Sequence, residues 1–139
     1  MKSITKTEQE IIEEFEQFSD IDSKYRHLFK LGNDLPEMDS SLKNDDTLVD
    51  GCQSKLWFQL SQEGGKLHLR ADSDSMVIKG IGALLVRLVE GRKLEEINNI
   101  NLGFLDTLNI WKLASYRNNG LLAMLDHLHK QAEAISEEQ

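Results

Sequence analysis

Apolar residues recur along the chain at two different periods, and the switches between them divide it into elements. From Thr5 the spacing is helical. Thr5 or Thr7, each with a Glu three residues on, offers a capping-box start, and Ile11, Ile12, Phe15 and Phe18 follow on one face. A second helix is predicted from Asp20 or Asp22, carrying Tyr25, Leu28, Phe29 and Leu31 over two turns, with Gly32 as its stop ahead of Pro36, the only proline. Met38 to Thr47 is polar and shows no period, which predicts an exposed connection leading to Leu48 and Val49.

The period then changes to two. Leu56, Phe58 and Leu60 alternate with Lys55, Trp57, Gln59 and Ser61; Leu67, Leu69 and Ala71 alternate with His68 and Arg70. Gly64-Gly65 between them suits the positive φ angles of a tight turn, so the two runs should pair as an antiparallel hairpin. A hairpin alone is marginal in water, so helices must cover its apolar face. Helical spacing returns at Val77, Ile81, Leu84, Leu85 and Leu88, with Asp74 or Ser75 as N-cap and Gly91 at the end. Gly80 and Gly82 inside this stretch cost about 1 kcal/mol each against Ala, a cost that makes sense where a neighbour packs closely. Short helical pieces at Lys93–Asn98 and Phe104–Leu108 precede a last helix opening at Ser115 or Tyr116. It carries Leu121, Leu122, Met124, Leu125 and Leu128, and an acidic tail from Glu133 is expected to fray. The order predicts an α+β fold, a small antiparallel sheet of about three strands packed against several helices. One domain is expected over 1–139, with its core at about 5–132.

Composition narrows the function classes. The chain has 139 residues and a formal net charge of −8, which opposes a phosphate backbone and argues against nucleic acid. No apolar run reaches the roughly 20 residues of a membrane span. Met1 to Glu10 lacks the apolar stretch of a signal peptide, so a cytoplasmic location is expected. The single cysteine, Cys52, can form no intramolecular disulfide and complete no Cys-rich metal site; it is either an inert buried thiol or a reactive one.

Other candidate chemistry is weaker. Asp72-Ser73-Asp74 starts like a calcium loop, but Met76 falls where a third ligand belongs, and capping by Asp74 explains the pattern better. A cysteine hydrolase needs a histidine beside the thiol. Of His27, His68, His127 and His129, only His68 is expected near the sheet, where it reads as a solvent-side residue. His127 and His129, two apart on a helix, face different ways and read as surface positions; Glu13-Glu14, Glu95-Glu96 and Glu137-Glu138 read as solvated.

Cys52 lies in Val49-Asp50-Gly51-Cys52-Gln53-Ser54-Lys55-Leu56-Trp57, a turn-forming Asp-Gly pair followed by the first strand. This segment resembles the signature around the acceptor cysteine of SufE proteins, Gly-Cys-Gln-Ser-x-hydrophobic-Trp. Tyr25-Arg26-His27-Leu28-Phe29-Lys30-Leu31-Gly32 with Leu35-Pro36 is similar to another element of that family. So are Asp72-Ser73-Asp74 with Ile78-Lys79-Gly80, and Arg117-Asn118-Asn119-Gly120-Leu121. The matches keep their order from about Phe15 to Ala132. Ala114-Ser115-Tyr116 departs from the Thr-Pro-Ser often found there, and the first helix matches only in its amphipathic pattern.

The resemblance implies a SufE/IscU-like fold and a sulfur carrier with no cofactor and no metal of its own. Cys52 would take persulfide sulfur from a pyridoxal phosphate-dependent cysteine desulfurase (SufS- or CsdA-like), stimulate it, and relay the sulfur to an iron–sulfur scaffold complex (SufBCD-like). Gly51, Gln53, Ser54, Trp57 and Asp74 would support the cysteine loop, with Leu56 or Trp57 shielding the sulfur. Arg117, Asn119 and Gly120 would meet the partner, and Arg117 or Lys55 would favour the thiolate if close. A U-type scaffold or accessory binding module is the alternative, but holding a cluster takes several thiolates. Periodicity does not distinguish a monomer from a homodimer.

Overall fold

A computed structural model describes residues 2–49, 55–108, 110 and 119–138. Its centre is the predicted hairpin, β1 (Leu56–Glu63) and β2 (Lys66–Ser73), paired antiparallel from Leu56 opposite Ser73 to Glu63 opposite Lys66. Gly64 and Gly65 sit at φ of 59° and 78°, the left-handed region that both central residues of this tight turn occupy. Leu56, Phe58, Leu60, Leu67, Leu69 and Ala71 are all buried on the core face.

Among the described residues the sheet has two full strands, and its third line is a single bridge. The Val49 N–H donates to the Leu56 carbonyl at 2.8 Å and the Phe58 N–H to the Thr47 carbonyl at 2.8 Å, placing Leu48 antiparallel to Trp57. The connection is therefore not wholly exposed, as Met38 and Thr47 are buried. Thr47 turns inward because its backbone joins the sheet while its hydroxyl donates to the Leu42 carbonyl at 2.6 Å. A short 3-10 turn, Ser40–Leu42, lies between them.

Four α-helices among the described residues pack around the hairpin. α1 (Ile4–Glu16) is capped by Ser3, whose hydroxyl accepts the Lys6 N–H; the expected caps fall inside the helix, where Thr7 is buried, and Phe18 lies beyond its end. α2 (Ile21–Asn33) is capped by Asp20 and runs through Gly32. Gly32 is thus no stop: a Cβ there would lie 3.0 Å from the Gly80 nitrogen. α3 (Met76–Val89) is capped by Ser75, crosses α2 at Gly80 and faces the sheet at Gly82, with Ile78, Ile81 and Leu85 in the common core. Leu94–Asn99 and Gly103–Leu108 are both 3-10 helices. α4 (Asn119–Glu137) does not fray at Glu133; Ala132 is buried and Ile135 packs on the core. The predicted start at Ser115 or Tyr116 lies outside the described residues. No described helix is long and apolar enough to cross a membrane.

The two interior glycines of α3 have different neighbours. A Cβ on Gly80 would lie 2.5 Å from the Leu28 carbonyl oxygen, a backbone atom, whereas one on Gly82 would meet the Ala71 Cβ at 3.4 Å, an ordinary contact. Gly80→Ala should destabilise by about 1–3 kcal/mol through overpacking. Gly82→Ala should stay within about 1 kcal/mol of the parent or gain stability through helix propensity. Urea denaturation of both variants checks this, and equal losses would refute the assignment of Gly80 alone to the helix crossing.

Candidate functional site

Cys52, with Gly51, Gln53 and Ser54, lies outside the described residues, as does Arg117; Asn119 and Gly120 are the first two residues of α4. What the structure describes is how the cysteine segment is anchored on either side. On the incoming side, Val49 is buried and bonded to Leu56. On the outgoing side, Lys55 is held at the corner between β2 and α3: its N–H donates to the Asp74 carboxylate at 3.0 Å, and its carbonyl accepts from the Asp74 N–H at 3.2 Å and the Ser73 hydroxyl at 2.6 Å. Asp74 therefore does not cap α3. Ser75 accepts the Ile78 N–H instead, leaving the Asp74 carboxylate free to hold Lys55.

Next to these anchors lies a cluster of charges that sequence reasoning missed. Trp57, half-buried on β1, is paired across the sheet with Asp72 on β2. The Lys43 ammonium stands 4.9 Å from the centre of the indole ring and binds the Asp72 carboxylate at 2.6 Å, while Lys79 from α3 reaches its other oxygen at 3.4 Å. Burial pushes the Asp72 carboxyl up, but the Lys43 hydrogen bond, the Ser73 N–H and the charge of Lys79 outweigh it and hold it below its ordinary 3.8. Two ammonium groups, of Lys43 and Lys79, thus share the one carboxylate of Asp72, while Asp74 holds a backbone N–H. The register set by Gly64-Gly65 was enough to pair Trp57 with Asp72; Lys43, in an aperiodic stretch, gave no signal.

The histidines are engaged elsewhere. His68 contacts Glu90 at 2.5 Å and is paired with Ser61, five residues along β1 from Leu56 and so about 17 Å away along the strand. His27 contacts Glu14 at 2.6 Å, with Arg87 on the same oxygen at 3.0 Å, so Glu14 is no merely solvated charge. Burial pushes Glu14 up, yet the His27 hydrogen bond and the Arg87 charge together hold it below its ordinary 4.5. Glu96, too, is employed, accepting the Lys93 N–H at 3.1 Å. His127 and His129 are half-buried rather than surface residues, because α4 lies along β1, with the His127 ring 6.5 Å from Phe58. His129 lines a cleft of about 1160 Å³ beside Gly64-Gly65, at the turn end of the hairpin, remote from the anchors of the cysteine segment. Among the described residues, no three His, Cys, Asp or Glu side chains converge as metal ligands.

Residues 9–132 match the model of the SufE family, the Fe-S metabolism associated domain. The chain belongs to the SufE family. SufE-like protein 1, chloroplastic/mitochondrial, of Arabidopsis thaliana is 37% identical over 126 residues, which cover 89% of this chain and 34% of that protein. This chain therefore spans about a third of the length of the plant relative. The sulfur acceptor protein CsdE of Escherichia coli is 30% identical over 123 residues, 86% of this chain and 84% of the relative. An uncharacterized SufE-like protein of Rhizobium meliloti is 28% identical over 135 residues, covering 89% and 93%. The solution structure of a hypothetical protein from Thermus thermophilus superposes with a TM-score of 0.75 over 94% of this chain and 96% of the other; at 20% identity it bears on the fold alone. The α+β architecture is that of this SufE-like fold.

Because the folded Asp72 carboxyl titrates below its unfolded value, its contribution to stability is fully present above the ordinary carboxylate range. That contribution is lost as pH falls through the lowered value. Asp72→Asn should therefore destabilise most near neutral pH, and the difference from the parent should shrink as pH falls below the ordinary carboxylate range. Denaturation curves of both proteins across this range check it; a difference that does not vary with pH would exclude the charge pairing as its source.

Proposed function

We propose that the chain is a sulfur carrier that receives persulfide sulfur on Cys52 from a pyridoxal phosphate-dependent cysteine desulfurase and passes it to an iron–sulfur scaffold. The observation that carries this reading is the Gly51-Cys52-Gln53-Ser54 motif within a SufE domain, in a chain with no second cysteine, together with a relative named as a sulfur acceptor. The described neighbourhood supports it. Lys55 and Val49 anchor the segment on either side.

The transfer balances without an external oxidant. The Cys52 thiolate attacks the outer sulfur of the persulfide on the desulfurase; that S–S bond breaks as the new one forms, and the desulfurase cysteine leaves as a thiolate. The pyridoxal phosphate belongs to the partner, and this chain contributes the nucleophile and its surroundings. Asp74 serves as loop support by holding Lys55, Trp57 walls the segment, and Arg117, Asn119 and Gly120 contact the desulfurase. The carrier turns over no substrate alone but stimulates the desulfurase by relieving it of sulfur. It works in the cytoplasm, as one domain.

The test is intact-protein mass spectrometry after incubation with a cysteine desulfurase and free cysteine. The parent chain should gain about 32 Da per sulfur atom, reversed by reductant, and Cys52→Ser should gain nothing. Absence of a gain with any desulfurase that loads another SufE-family protein would leave Cys52 without this role.

A further inference from the structure

We infer that the pocket between the start of α1 and the end of α3 binds a small tetrahedral oxyanion, phosphate or sulfate, held by the guanidinium groups of Arg92 and Arg87. The pocket measures about 270 Å³ and is lined by Lys2, Thr7, Glu10, Arg87 and Arg92, three cations and one carboxylate around a hydroxyl. It lies beyond the far end of α3 from the Lys55 anchor, about 20 Å along the helix, and is independent of the reaction proposed at Cys52.

Arg92 is the residue that points to a ligand. It is 2% exposed, and its three hydrogen bonds go to neutral oxygens: the Leu88 carbonyl at 2.9 Å, the Lys2 carbonyl and the Thr7 hydroxyl at 3.1 Å. The Glu96 carboxylate stands at 3.6 Å, beyond hydrogen-bond distance, and its other oxygen accepts the Lys93 N–H. A guanidinium has five N–H groups, so one on each terminal nitrogen is left without an acceptor among the described residues. The three bonds hold the group in place, but a buried charge met only by neutral groups is costly, and an anion in the pocket would relieve it.

The remaining lining suits such an ion. Arg87 gives Glu14 one terminal nitrogen at 3.0 Å, and Glu14 does not line the pocket. Lys2 pairs with Glu10 at 2.9 Å on the rim, where the two side chains are 61% and 33% exposed and the pair is weak. The Lys2 hydrogen bond and the charges of Lys2, Lys6 and Arg87 hold the Glu10 carboxyl below its ordinary 4.5, as expected beside a cationic pocket. The Thr7 hydroxyl donates to the Ser3 carbonyl and accepts from Arg92, so it shapes the site without binding. The volume is below the roughly 300–1,000 Å³ of pockets for drug-sized molecules, which selects a compact ion over a nucleotide. Planar guanidinium groups match the paired oxygens of phosphate or sulfate.

The experiment is an NMR titration of the full, nitrogen-labelled chain with inorganic phosphate, and separately with sulfate, with chloride adjusted to hold ionic strength constant. Saturable shifts are expected at the backbone amides of Ser3 to Thr7 and Arg87 to Arg92 and at the Arg92 Nε–H. Arg92→Met keeps an unbranched stem in the core and removes the charge; it should weaken binding about tenfold or more, the size of a lost charge-assisted hydrogen bond. Arg87→Gln should do the same, and it carries the test if Arg92→Met does not fold. Glu10→Gln removes the one carboxylate of the lining while keeping an acceptor for Lys2, and should tighten binding by up to about fivefold. Shifts that rise without saturating or spread over the whole surface, which is a general salt effect, would overturn the site. So would a titration of Arg87→Gln that matches the parent.

Discussion

A sheet of two strands is all edge: each strand has one row of N–H and C=O groups facing its partner and one row facing outward, and the outward rows must be satisfied once helices close over the sheet. Leaving such a group buried and unpaired costs about 1–3 kcal/mol, so this constraint places much of the remaining chain. On the β1 side, Val49 and Thr47 bond Leu56 and Phe58, and the Gln131 side chain of α4 continues the row, donating to the Phe58 carbonyl at 2.8 Å and accepting the Leu60 N–H at 3.0 Å. On the β2 side, Leu67 exchanges bonds with Gly91 and Arg92 at 2.8 and 2.7 Å, and the Glu90 carboxylate accepts the Leu69 N–H at 3.0 Å. Both edges are thus blunted against pairing with other chains, and the cysteine segment begins where the β1 edge is covered.

The second constraint is the close crossing of α2 and α3. Gly32 and Gly80 bring the two backbones nearer than any side chain would allow, which lets α3 lie on the sheet and against α2 at once. α3 then does two jobs. Its buried face, from Ile78 to Val89, forms the centre of the core, while its first turn presents Lys79 to Asp72 next to the Lys55 anchor. At its far end Arg92, only 2% exposed, bonds the Leu88 carbonyl at 2.9 Å, the Thr7 hydroxyl at 3.1 Å and the Lys2 carbonyl, so α1 is attached to the same frame. A buried guanidinium is acceptable here because its donors meet oxygen atoms.

How much was legible in the sequence depended on whether a residue answers to a local rule. The hairpin, its turn and α3 follow period and φ requirements that short stretches impose, and they are found where expected, within a residue or so. Gly32 was misread because a glycine near the end of a helical pattern usually marks a stop; here the competing demand was space for Gly80, a contact 48 residues away that no local pattern reveals. Asp74 and Ser75 were equivalent as caps until the Lys55 N–H claimed Asp74. Glu14 looked solvated because its partners, His27 and Arg87, come from two other helices. At the site, the motif around Cys52 was legible as a resemblance, and the Trp57–Asp72 pairing followed from the turn. Lys43 was not legible, since an aperiodic polar connection gives no hint of which of its charges turns inward.

The charges at the anchors bear on how a carrier thiol is tuned. A thiol surrounded by unopposed cations becomes a thiolate readily but a poor nucleophile, because nucleophilicity falls with pKa; the best attacking thiol titrates near the ambient pH. Asp72 between Lys43 and Lys79 cancels one of their two charges, while the Asp74 carboxylate is taken up by the backbone N–H of Lys55. The carboxylates are also structural, since Asp72 ties the connection to β2 and Asp74 holds Lys55. The same two side chains therefore serve the anchors on either side of the segment, Asp72 through Lys43 on the incoming side and Asp74 through Lys55 on the outgoing side. Removing either carboxylate would therefore change the anchoring and the local charge together.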